Sequence, residues 1–322
     1  MPNMRFLSLV VFELCVLLWT NSGSLAAGIR PRQIKNLVTF GDSFTSVDWS
    51  ANGGTPWPVY TAGYTGVQLL PFAKAGATCS NELTYRPFPP LTESQVPLFL
   101  EQKANGTFKL PPHETIYTLW IGTNDVGANA LLTGSSEASL VDVTNCMVDW
   151  VEVLYENGAR NFIFQNMVPL ETIPLYAPNS YPNRYWTAER NTTEWSVFMR
   201  ELVLSGNELT KIKLEALAPK LRGANIALFD AHSLFADMYK NPSKYLNGTA
   251  PLNVDGMVDS CVYELNAPPD ATPRCTMVEG TDRDSYLWYD ELHPSEQASR
   301  VVARQIADVI QGKRNRWTTW LD

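Results

Sequence analysis

The sequence predicts an α/β protein whose parallel sheet carries helices on both faces. Three observations lead there. Short apolar runs rich in β-branched and aromatic residues recur along the chain, and longer stretches of helical character follow them. Strand–helix alternation of this kind builds parallel sheets, because each crossover needs a helix to return the chain. Finally, the runs end abruptly in Gly, Asp, Asn and Ser, the residues of turns rather than of helix interiors.

The chain opens outside the expected fold. Met1–Arg5 is short and basic, Phe6–Trp19 ("FLSLVVFELCVLLW") is an apolar core interrupted by Glu13, and Ser24–Ala27 ("SLAA") offers small residues for cleavage. This is the layout of a secretory signal peptide, too short to be a comfortable membrane span. Residues 1–27 are therefore expected to be removed. With no repeat and no Ser/Thr/Pro-rich linker, residues 28–322 read as a single domain large enough for a substantial core. The formal net charge is −8. An acidic surface argues against nucleic acid and anionic membranes as partners and leaves neutral esters and sugars open.

The elements follow in order. "NLVTF" (Asn36–Phe40) is the first strand, and a weaker one is expected near Leu70–Lys74. "ETIYTLWIG" (Glu114–Gly122) comes next, with a helix around Ala138–Glu156. "NFIFQNMV" (Asn161–Val168) precedes a long helix near Glu194–Leu217, in which Phe198, Leu202, Leu209, Ile212 and Leu217 form the expected core-facing stripe. "NIALFD" (Asn225–Asp230) is another strand, and Ser295–Ile310 is the terminal helix. Trp317 and Trp320 beyond it are expected to pin down the tail.

Of five cysteines, Cys15 leaves with the leader. Cys79, Cys146, Cys261 and Cys275 remain, an even number for an oxidising compartment, and no pair has the spacing of a zinc or redox site. The expected disulfides are Cys261–Cys275, closing a short Pro-rich loop, and Cys79–Cys146. Sequons at Asn105, Asn191 and Asn247 fit a glycosylated secreted protein.

The chemistry gathers where strands end. "LVTFGDSFTS" (Leu37–Ser46), taken alone, is a strand running into a turn. Yet Gly76 follows the weak strand, Gly122-Thr123-Asn124-Asp125 follows "TLWI", and Asp290 stands three residues before His293 in "YDELHPS". In parallel sheets, sites form beyond the carboxyl ends of strands. A serine hydroxyl needs a base to take its proton, and the chain has only three histidines. His113 reads as a loop residue and His232, just after a strand, as a competitor. His293 is preferred because Asp290 can hold its tautomer and stabilise the imidazolium. The Ser43 and Gly76 N–H groups with the Asn124 amide would supply three donors to an oxyanion. No G-x-S-x-G occurs, which argues against the nucleophile elbow of ordinary α/β-hydrolases. Asp42 and Asp125 read as loop-bracing Asx residues.

Gly41-Asp42-Ser43, Gly76, Gly122-Thr123-Asn124-Asp125 and Asp290-x-x-His293 resemble the four blocks of the SGNH, or GDSL-type, hydrolases, in family order. The likeness spans Val38 to about Pro294, with Phe44 where many members have Leu. The finer pattern ("FGDSF", "AGATCSN", "WIGTND", "SYLWYDELHPS") is most similar to fungal secreted acetyl esterases of carbohydrate esterase family sixteen. The resemblance implies a flavodoxin-like three-layer α/β/α fold with a five-stranded parallel core. It also implies Ser43 as nucleophile, His293 as base and then acid, Asp290 as its orienter, and an oxyanion hole from Ser43, Gly76 and Asn124. No metal or organic cofactor is implied. The expected partner is a small-molecule or oligosaccharide ester, and the expected state a monomer. A lipase or phospholipase of the same superfamily is the alternative, although "TSVDWSANGGTPWPVYT" after Ser43 is polar and aromatic rather than lid-like. Its Trp49, Trp57 and Tyr60, with Trp288 and Tyr289, could stack on sugar rings or pack the core.

Overall fold

A computed structural model describes residues 28–134 and 136–321; the expected leader, residues 1–27, lies outside them. Strands β1 (Asn36–Gly41), β2 (Gln68–Pro71), β3 (Thr115–Trp120), β4 (Asn161–Gln165) and β5 (Asn225–Phe229) form the parallel part of the main sheet. Further strands are β6 (Asn253–Met257), β7 (Asp259–Val262), β8 (Arg274–Met277), β9 (Tyr286–Trp288) and β10 (Thr318–Leu321). The helices are α1 (Trp57–Thr65), α2 (Val96–Ala104), α3 (Thr123–Val126), α4 (Leu140–Glu156), α5 (Thr192–Leu217), α6 (Ala231–Lys240) and α7 (Glu296–Ile310).

Strand order across the main sheet is β10-β5-β4-β3-β1-β2. The five parallel strands are those expected, though β2 begins and ends earlier than Leu70–Lys74. The expected five-stranded parallel core is present, and a sixth, antiparallel strand extends it. β10 pairs antiparallel with β5, Thr318 opposite Phe229 and Leu321 opposite Ile226. The stretch read as a pinned tail, "TTWL", is made of β-branched, aromatic and aliphatic residues that suit a strand, and it covers the edge of β5 with paired backbone instead of side chains alone.

β1, β3 and β4 are buried along their whole length, so their two faces feed two different cores. Leu37, Ile116, Trp120, Ile163, Ala227 and Phe229 face a core completed by α1, α6 and α7. Val38, Phe40, Tyr117, Leu119, Phe162 and Phe164 face the other, completed by α2 and α4. This is the three-layer α/β/α arrangement, and the period-2 alternation of the strands fixes which side chain enters which layer.

The long helix departs from its expected stripe. Leu202 and Leu217 are buried, but Phe198 and Ile212 are exposed, and the buried face runs through Met199, Val203, Gly206, Thr210 and Leu214. Gly206 marks the reason: a β-carbon there would come 2.8 Å from Met167 Cε. That contact selects for small size, which hydrophobic periodicity does not register.

The switch in strand direction of travel, β2 to one side of β1 and β3 to the other, opens a crevice at their carboxyl ends. Between α6 and α7 the chain adds two small sheets, parallel β6–β9 and the antiparallel β7–β8 hairpin, in which Cys261 and Cys275 are directly opposite and bonded. The second disulfide joins Cys79, after β2, to Cys146 on α4.

Candidate active site

The first strand delivers Ser43 because the chain cannot continue straight. At Gly41 φ is +139°, and a β-carbon there would lie 2.1 Å from the Trp120 carbonyl oxygen, so glycine alone fits. The buried Gln95 side chain grips this residue from both sides, accepting from Gly41 N–H (3.1 Å) and donating to Gly41 C=O (2.8 Å). Asp42 Oδ1 accepts from Phe44 N–H at 2.9 Å, an Asx turn that closes the loop. Phe44 packs edge-on against Trp120 and His293. Ser43 is thereby held at the carboxyl edge of β1.

His293 meets it from the other end of the chain. Its Nε2 lies 2.9 Å from Ser43 Oγ, and its Nδ1 lies 3.0 and 3.1 Å from the two Asp290 oxygens. Those partners place the ring proton on Nδ1, facing the carboxylate, and leave Nε2 to accept from the serine hydroxyl. Asp290 Oδ1 also accepts from the Leu292 and His293 N–H groups, so the carboxylate and the imidazole share one tight loop. Burial works to raise the Asp290 carboxyl, but His293 and the hydrogen bonds from His293, Tyr185 and Leu292 outweigh it and hold the group below its ordinary value. Asp290 stays ionised beside the imidazole.

The other two sequence blocks close on the same crevice. Lys74 N–H donates to Gly41 C=O (3.1 Å), which brings the turn containing Gly76 against the end of β1. Gly76 adopts φ +77°, and Phe88 fills the space a β-carbon would need. Asn124 Nδ2 donates to Ala77 C=O at 2.9 Å, joining the start of α3 to this turn. One amide proton of Asn124 is thus committed and the other remains. Among the described residues, neither the Ser43 nor the Gly76 N–H meets a protein acceptor. Asp125 beside it accepts from Cys79 N–H (3.0 Å) and Thr84 Oγ1 (2.8 Å).

Asp42 and Asp125 brace loops, and burial raises both carboxyls, to about 7 and about 6. The competing histidines sit elsewhere. His232 begins α6 with its N–H on Asn166 Oδ1, and His113 lies in the turn before β3, at the amino end of the sheet. Trp49 is 49% exposed and stands edge-on to His293 at 5.3 Å, whereas Trp57 and Trp288 are core residues. Two neighbours were not legible beforehand. Gln95 acts through Gly41 from a π-helical turn at Leu91–Gln95, and Tyr185 reaches Asp290 from an irregular segment. Neither belongs to a motif.

A hydroxyl, an imidazole and a carboxylate in sequence, at the carboxyl edge of a parallel sheet flanked by helices, define a serine hydrolase of the α/β/α class. The chain belongs to the GDSL-like Lipase/Acylhydrolase family, whose model matches residues 37–306, and it is a serine carboxylic-ester hydrolase. It is 30% identical to an acetylesterase of Hypocrea jecorina over 89% of this chain and 91% of that one. It is 24% identical to an acetylesterase of Thermothelomyces thermophilus over 96% and 98% of the respective chains. Among solved structures, a catalytic mutant of an acetylxylan esterase from Geobacillus stearothermophilus aligns at 14% identity with a TM-score of 0.44, over 89% of this chain and 99% of that one.

Proposed function

We propose that this chain is a secreted acetylesterase that removes acetyl groups from hemicellulose-derived oligosaccharides, with residues 28–322 acting as one catalytic domain. The observation that carries the reading is the Ser43–His293–Asp290 chain of hydrogen bonds. Ser43 Oγ attacks the ester carbonyl as His293 takes its proton. The Ser43 and Gly76 N–H groups and the free Asn124 proton receive the oxyanion. His293 then protonates the sugar oxygen as its bond to the acyl carbon breaks, so that it leaves as a hydroxyl, and a water activated by the same imidazole releases acetate.

Three features support the finer substrate. The acetylesterase relatives share nearly the whole chain. The hollow beside Ser43 and His293 is small and walled by Phe44, Trp57, Trp120 and Phe235, which fits a short acyl group better than a long one. Exposed Trp49 beside His293 offers an apolar face to a sugar ring on the leaving-group side. Secretion is supported by the leader-like residues 1–27, by the two disulfides, and by exposure of Asn105, Asn191 and Asn247. Among the described residues no helix is long and apolar enough to cross a membrane.

Ser43→Ala and His293→Ala are expected to abolish aryl acetate hydrolysis while melting like the parent protein. Rates on aryl esters should fall from acetate to octanoate, and acetylated xylo-oligosaccharides should be turned over. Full activity in either variant removes the catalytic assignment. A preference for octanoate replaces the acetylesterase with the lipase reading.

A further inference from the structure

We infer that Tyr185 is a positioning residue for ester hydrolysis, a fourth group that holds the Asp290–His293 pair in its working geometry. The inference rests on the triad proposed above. The Tyr185 hydroxyl lies 2.6 Å from Asp290 Oδ2, to which it donates, and 3.1 Å from His293 Nδ1. Its ring stands edge-on to the imidazole at 5.9 Å.

The geometry gives this hydroxyl a task that no other group among the described residues performs. Asp290 Oδ1 is fixed by two backbone N–H groups, whereas among the described residues Oδ2 has only the Tyr185 hydroxyl besides the imidazole. Without it, Oδ2 loses its lateral restraint, and the carboxylate can rotate about the bond that Oδ1 anchors. The phenol also draws negative charge from the carboxylate, which tempers how strongly Asp290 stabilises imidazolium. Burial and the Asp290 charge push the Tyr185 phenol well up, so it stays protonated and remains a donor.

The segment carrying Tyr185 is itself fastened. Asn183 bridges to Val262 on β7, Tyr263 N–H donates to Pro182 C=O at 2.9 Å, and Tyr185 N–H donates to Asn183 Oδ1 at 3.0 Å. Arg184 contacts Asp259 at 2.9 Å and the buried Glu291 at 2.8 Å. Glu291 follows Asp290 directly and accepts from Cys261 N–H at 2.6 Å. The disulfide hairpin therefore clamps the Tyr185 segment from one side and the Asp290 loop from the other.

Other charged or titratable groups facing this pair are Asp42 from the nucleophile loop, Tyr181 and Arg184 from the segment of Tyr185, and Tyr289 and Glu291 from the histidine loop. All of them survive in Tyr185→Phe, which deletes one oxygen and keeps the ring. On an aryl acetate, kcat is expected to fall about tenfold with KM unchanged, the effect of one net hydrogen bond on a rate. The acid limb of the kcat profile should move up by about half a pH unit, because Asp290 then holds the imidazolium harder. The downfield proton resonance of His293 Nδ1–H should shift in the same variant, a readout that does not depend on turnover. A kcat within twofold of the parent, an unmoved acid limb or an unchanged resonance overturns the inference. A Tyr185→Phe protein that fails to fold also overturns it, since the group would then be structural. Inactive Ser43→Ala and His293→Ala beside an unaltered Tyr185→Phe would sink this inference alone. Active Ser43→Ala would sink the triad beneath it.

Discussion

Asn124 has two amide protons and uses one on Ala77 C=O, so in the proposed reaction a single proton faces the oxyanion. Asn124→Ala is expected to lower kcat on an aryl acetate by about 10²–10³ with little change in KM, the cost of one such donor. A loss below about threefold would take Asn124 out of the role. Asp42 poses a different question at the same scale. Its carboxyl is raised from 3.8 to about 7 by burial, against the opposing pull of Phe44 N–H and His293. The native state therefore keeps a proton that the unfolded chain releases near pH 3.8. The stability this adds is fully present below that pH and is lost as pH rises through about 7. The urea midpoint should fall between about pH 5 and about pH 8, and should fall less in Asp42→Asn, whose side chain is neutral throughout. Equal declines in the two proteins would show that another group is responsible.

The elements show what the sequence could and could not reveal. Gly41-Asp42-Ser43 and Gly122-Thr123-Asn124 were readable because a chain leaving a buried strand must turn at once, and turning selects conspicuous residues. Asp290 and His293 were readable because three residues suffice to fold a carboxylate onto an imidazole. Gln95 and Tyr185 were not, since each acts through a contact whose partner lies far away in sequence and no local spacing records it. The face of α5 was misread for a related reason: Gly206 and Thr210 line it by size and close approach, while the more hydrophobic Phe198 and Ile212 point to solvent. The two disulfides lie at elements that matter here. Cys79–Cys146 spans 67 residues and anchors to α4 the loop in which the Cys79 N–H donates to Asp125. Loop-closure entropy for that span is about 4 kcal/mol. The Cys79→Ser/Cys146→Ser protein should lose about this much in denaturant titration. It should also lose activity before it unfolds, because the Gly76 turn is freed first. Unchanged stability would mean the surrounding packing already holds the loop.

At the scale of the whole molecule, the sheet separates chemistry from closure. The crevice sits at β2, β1 and β3, while the opposite margin is sealed by β10 on β5. Deleting Trp317–Asp322 uncovers that margin without touching Ser43. The truncated protein is expected to melt lower and to aggregate with concentration, while the soluble fraction keeps kcat within about twofold. A truncated protein as stable as the parent would make β10 dispensable decoration.

Ser43 and His293 touch across 250 positions of the chain. During synthesis the Ser43 alcohol emerges well before the imidazole that the proposed triad sets against it. Every strand of the parallel sheet can be in place while Ser43 is still an ordinary, unreactive hydroxyl. Closing so long a loop comes late in folding. In the proposed mechanism, a chain not yet made as far as His293 therefore cannot attack the esters around it.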